Sequence, residues 1–105
     1  MYTTIEVRKQ ISEIMEKLRY DKTSLVRLHW SLTQQDEEEC LWNLFGRKQI
    51  SGLPVTKKAF IAAGKRFNMK QIALELLHTT YKEDLAEGLK LLSKKFPNLS
   101  QTEPV

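Results

Sequence analysis

The residues from Asn68 to Phe96, NMKQIALELLHTTYKEDLAEGLKLLSKKF, restrict the fold more than any other part of the chain. Met69, Ile72, Ala73, Leu76 and Leu77 recur at helical spacing, and Leu85, Leu89 and Leu92 repeat the pattern further on. The spacing predicts two short amphipathic helices joined by a tight turn. Thr80-Tyr-Lys-Glu83 in that turn reads as a capping box, with a Thr oxygen and a Glu carboxylate placed to accept from free amides at a new helix start. Helices this short are not stable alone in water. Each needs neighbours, so the chain is predicted to be all-α, a compact antiparallel bundle. A small bundle without a pocket works by presenting its surface.

The remaining sequence divides into four further helical segments, six in all. The first runs from about Thr4 to Tyr20, with Val7, Ile11, Ile14, Met15 and Leu18 on one face. Asp21 is placed to cap the second, from Lys22 to Leu32, which turns Leu25, Leu28 and Leu32 inward. Thr33 is read as the cap of the third, from Gln34 to Phe45, with Leu41, Leu44, Phe45 and either Cys40 or Trp42 as its apolar set. Gly46 ends it, and GRKQISGLP forms the one sizeable loop, with Ile50 to Val55 open to an extended conformation. The fourth starts near Pro54 to Thr56 and stops at Gly64, with a thin apolar face of Ala59, Ala62 and Ala63. Residues 1–96 are thus read as a single helical domain and 97–105 as a C-terminal tail.

At 105 residues the chain has room for one core. A hydrophobic fraction of 41% is ordinary for a folded domain and too high for a disordered one. No apolar run approaches the ~20 residues of a membrane span. The start, MYTTIEVRKQ, lacks the apolar stretch of a secretory signal, which places the protein in the cytoplasm as an expectation. Cys40 is the only cysteine, so an internal disulfide and a cysteine-based zinc site are excluded. It reads as a small core residue.

Enzyme chemistry finds no support, and no cofactor is expected. His29 and His78 are far apart in sequence and neither belongs to a metal-spaced pair. Ala59-Phe-Ile-Ala-Ala-Gly64-Lys65-Arg66 mimics the end of a phosphate-binding loop, but lacks the first glycine and the hydroxyl residue after the lysine. Adjacent carboxylates in Asp36-Glu-Glu-Glu39 point in different directions around a helix, so they form no converging acid/base pair. The net charge of +4 permits nucleic-acid binding. Yet Arg47-Lys48, Lys65-Arg66 and Lys94-Lys95 fall at predicted helix ends, where the helix dipole favours cations without any partner. A helix-turn-helix reading of the fourth and fifth segments leaves too few polar side chains on the second helix to read bases.

Two stretches carry a family resemblance. Gln71-Ile-Ala-Leu-Glu-Leu-Leu77 followed by Asp84-Leu-Ala-Glu-Gly-Leu89 resembles the last two helices of pyrin domains. Ile11-x-x-Ile14-x-x-x-Leu18 with Leu25-x-x-Leu28-x-Trp30-x-Leu32 resembles the first two helices of pyrin and death-effector domains. Phe60-Ile-Ala-Ala-Gly-Lys-Arg66-Phe67-Asn68-Met69 is similar to the death-effector pattern that leads to R-x-D-L, with Asn68 and Met69 in place of the Asp and Leu. Of that motif's charge network, only Arg66 is carried over.

The resemblance to the death-fold superfamily implies a non-enzymatic adaptor in apoptotic or inflammatory signalling. It implies a death-fold domain as partner, and homotypic self-association through one acidic and one basic patch. Asp36, Glu37 and Glu38 are the candidate acidic contacts. Arg47, Lys48, Lys57, Lys58, Lys65 and Arg66 are the candidate basic ones. The alternative is a small basic helical regulator that binds DNA or RNA.

Overall fold

The computed structural model describes residues 3–48 and 50–96. They form six α-helices: α1 (Thr4–Leu18), α2 (Lys22–Gln34), α3 (Glu37–Leu41), α4 (Lys57–Arg66), α5 (Met69–Thr79) and α6 (Lys82–Lys95). A single π-helical turn, Trp42–Gly46, prolongs α3. No strand occurs among the described residues, and Ile50 to Val55 forms turns and irregular chain. The all-α bundle is therefore as the periodicity requires. The proposed tail, 97–105, lies outside the described residues.

One cluster of buried side chains draws on every helix. Val7, Ile11 and Met15 enter it from α1, Leu25, Val26, Leu28 and Leu32 from α2, and Cys40, Leu41 and Phe45 from α3 and its π turn. Phe60 comes from α4, Met69, Ile72, Ala73, Leu76 and Leu77 from α5, and Leu85 from α6. Ile14, Leu18, Leu44, Leu89 and Leu92 are partly buried against it. No charged or polar side chain is buried among the described residues. Burial of this apolar surface is the main stabilising term for such a bundle.

The most extensive helix pair is α2 with α6. Its closeness depends on Gly88: a Cβ there would lie 2.8 Å from the Lys22 carbonyl carbon and 2.9 Å from Val26 Cγ2, and closer still to the Lys22 carbonyl oxygen. Glycine lowers intrinsic helix stability by about 1 kcal/mol relative to alanine. Here it is what lets the two backbones meet.

The helix boundaries correct several sequence expectations. α1 ends at Leu18 rather than Tyr20, and α2 continues through Thr33 to Gln34. Thr33 is not a cap: its hydroxyl turns back to donate to the His29 carbonyl, at 2.8 Å. A mid-helix threonine that bonds one turn back satisfies its hydroxyl without ending the helix. Asp36 caps α3 instead, accepting from the Glu38 amide at 3.1 Å. Asp21 does occupy the N-cap position of α2, but its carboxylate accepts from the hydroxyls of Thr23 and Ser24 rather than from a backbone amide.

Gly64 does not stop α4. It is buried inside the helix against Leu41 and Met69, and the chain breaks at Asn68, whose φ of 54° is left-handed. Asparagine tolerates that conformation better than most residues. The Thr80–Glu83 capping box is also absent. Thr80 closes α5 through its amide to the Leu76 carbonyl, Tyr81 occupies the N-cap of α6, and no side chain caps that end. The Tyr81 side chain packs instead of capping, being only 5% exposed.

Candidate functional site

The sequence names two sets of charges, and the fold brings most of them to one edge of the molecule. α3 starts at Glu37 because Asp36 ties down its first turn, and this leaves Glu38 and Glu39 exposed. α4 packs beside α3 and the π turn. Its last turn carries Lys65 and Arg66 back toward the acidic start of α3. Lys65 Nζ lies 2.7 Å from Glu38 Oε2, both side chains about half exposed. The Glu38 carboxylate holds the Lys65 ammonium above its usual pKa, helped by the nearby charges of Glu37 and Asp36.

Between these elements runs an open groove of about 460 Å³, lined by Asp36, Glu38, Glu39, Trp42, Asn43, Arg47, Lys57 and Ile61. The π turn shapes it. The Arg47 amide donates to the Trp42 carbonyl at 3.1 Å, the five-residue reach of a π turn. That winding seats the Trp42 ring against Gly46, where any Cβ would overlap the indole. The ring also meets Phe60 edge-on, with centroids 6.0 Å apart. Trp42 is thereby held as a half-buried wall rather than a mobile surface side chain.

The lining charges differ in how they are used. Asp36 is occupied as a cap and Glu38 by Lys65. Glu39, Arg47 and Lys57 form no ion pair among the described residues, although both signs face one groove. Lys57 and Lys58 are unusual in another way. They occupy the first turn of α4, which has no acidic residue and no side-chain cap at Thr56. Cations there oppose the helix dipole, whereas Lys65 and Arg66 at the other end complement it.

Of the predicted site residues, Asp36, Glu38, Arg47, Lys57 and Lys65 come together around this edge. Lys48 and Lys58 are exposed next to Arg47 and Lys57 in the chain but do not line the groove. Glu37 is half-buried, and Arg66 stacks over the Phe67 ring at 5.5 Å from its centroid. Acidic and basic residues are interleaved here rather than segregated into separate patches. The sequence reading missed Glu39, Trp42, Asn43 and Ile61 as lining residues. The groove itself was also missed, because a π turn leaves no signature in residue spacing.

A second juxtaposition was hidden in the sequence. His29 of α2 and His78 of α5 meet edge to face, with ring centroids 5.4 Å apart. No group of three or more His, Cys, Asp or Glu suited to a metal ion occurs among the described residues. Cys40 is fully buried, and burial pushes its thiol up to about 11. No helix among the described residues is long and apolar enough to cross a membrane. No family model, curated protein or solved structure matches the chain.

Proposed function

We propose that the protein is a homotypic interaction module of the death-fold type, an adaptor that assembles with further copies of itself or with a related helical domain. The sequence resemblance supplies the family. The observation that carries the mechanism is the edge formed by α3, the π turn and α4. It displays charges of both signs that form no ion pair among the described residues, and two of its lysines sit where their own helix disfavours them. Lys57 and Lys58 oppose the α4 dipole, so folding gives no reason for cations at those positions. An acidic surface on a neighbouring domain does. A mixed-charge edge on each copy that meets a different, complementary surface on the next generates an open, propagating assembly, because such a contact does not close on itself.

The test separates binding from folding. Reversing Lys57→Glu together with Lys58→Glu is expected to raise the thermal midpoint slightly, because carboxylates suit a helix N-terminus. The same change is expected to abolish the concentration-dependent self-association of the wild type, followed by sedimentation velocity up to about 1 mM, the range of weak contacts. Salt-sensitive retention of DNA or RNA by a chain that stays monomeric at that concentration would refute the reading in favour of a nucleic-acid binder.

A further inference from the structure

We propose that His29 and His78 together bind a divalent late first-row metal ion, such as Zn²⁺ or Ni²⁺, and so clip α2 to α5. They are the only two histidines in the chain, far apart in sequence. The fold sets them against each other, with ring centres 5.4 Å apart and ring planes at 84°. Two imidazoles that share one ion at about 2.0–2.1 Å, on tetrahedral positions, hold their ring centres about 5 Å apart. The two helices therefore already stand at chelating distance, and an ion asks only for rotation of the rings.

Both backbones are fixed. The preceding residues, Leu28 and Leu77, are buried in the core, and α2 packs directly on α5. His78 is exposed and His29 half-buried, so the pair is open to solvent and water can complete the coordination. The donors select the ion. Neutral imidazole nitrogens suit zinc, nickel and copper(II), whereas magnesium and calcium take oxygen ligands. Glu75, one turn before His78, is engaged with Arg8 at 2.7 Å, and the Cys40 thiol is buried. No third His, Cys, Asp or Glu completes the group among the described residues. Two protein ligands make a reversible clip rather than a structural centre. The unfolded chain does not hold these rings together, so an ion bound to both stabilises the folded bundle.

The full chain, stripped of metal with a chelator, tests the site. Calorimetric titration at about pH 7.5, where imidazole is neutral, is expected to show one Zn²⁺ or Ni²⁺ per chain and no uptake of Mg²⁺. At ten times the dissociation constant, the folded state gains about elevenfold over the unfolded one, and the thermal midpoint should rise by about 5 °C or more. His78→Gln, an exposed change that spares the core, and His29→Gln should each weaken binding at least about tenfold, the scale on which a second tethered ligand adds affinity. The ring-proton NMR signals of both histidines should shift together as metal is added. Binding that survives His78→Gln overturns the site, and so does binding lost with His78→Gln but kept with His29→Gln. A midpoint unmoved by about 1 mM metal, the range of weak contacts, overturns it as well. So does a stoichiometry of two chains per ion, which would place the histidines of separate copies on one metal.

Discussion

Replacing Gly88 with alanine is expected to destabilise the protein although it improves the helix. An alanine in the middle of α6 gains about 1 kcal/mol of helix propensity over glycine. The new Cβ, however, would stand 2.8 Å from the Lys22 carbonyl carbon, where ordinary contact begins at 3.4 Å. The obstacle is backbone, so no rotamer change relieves it, and α2 and α6 must part by about 1 Å. A gap of that size forfeits up to about half of the dispersion energy of the atom pairs it separates. The α2–α6 pair is the most extensive in the bundle, so the overpacking cost belongs at the upper end of its range, about 3 kcal/mol. The net loss is then about 2 kcal/mol, and the thermal midpoint should fall by about 10 °C. Gly64→Ala is the control, because the atoms a Cβ would meet there are Leu41 Cδ1 at 3.1 Å and Met69 Sδ at 3.3 Å, the ends of flexible side chains. That variant should melt within a few degrees of the wild type, or above it. A Gly88→Ala protein at least as stable as wild type in a calorimetric scan would refute the close-approach argument, as would equal losses in both variants.

Three further expectations follow from local geometry. Tyr81 is nearly buried, and its hydroxyl lies 3.4 Å from both the Ser12 carbonyl oxygen and the Glu16 carboxylate, too far for strong bonds. Urea titration should therefore show Tyr81→Phe costing less than about 1 kcal/mol, and Tyr81→Ala costing about 3–5 kcal/mol through the cavity it leaves. Cys40, with its thiol pushed up to about 11, should react with a disulfide reagent at pH 8 about 100-fold more slowly in the native state than in denaturant. Glu75 is held below the usual 4.5 by Arg8, and Asp21 below the usual 3.8 by the hydroxyls of Thr23 and Ser24. In that acidic range the unfolded chain binds the more protons, so stability is full above about pH 5 and falls as pH drops through the lowered values. Arg8→Met should flatten the acid limb of a stability–pH curve, and an unchanged limb would argue against the Arg8–Glu75 contribution.

The apolar spacing of α1, α2 and α5 was legible because each of these helices turns a dense stripe inward, and every residue read as central to α5 is buried. Boundaries were harder to read because the same residue types serve two purposes. Thr33 and Thr80 have the chemistry of caps, but one bonds back into its own helix and the other closes the helix before it. Gly64 reads as a breaker, yet it lies within α4, and Gly88 lies within α6 where the α2 backbone presses too close for a side chain. Such a requirement is set by packing between segments distant in sequence. The charged candidates at the α3–α4 edge were visible one by one. Their grouping was not, since Lys65 meets Glu38 only after the loop and the π turn have brought α4 back.

The π turn at Trp42–Gly46 leaves this stretch with one amino acid of slack. Leu41 and Phe45 are both buried at a separation of four residues, and loss of Asn43 would leave them three apart, a spacing that still returns to one side of a regular helix. The interior is thus indifferent to whether the surplus residue stays or goes. The exterior is not, because only the wider winding sets the indole over Gly46. The extra residue sets the contour of the outer surface, and a single-codon deletion there is expected to reshape that surface while sparing the bundle.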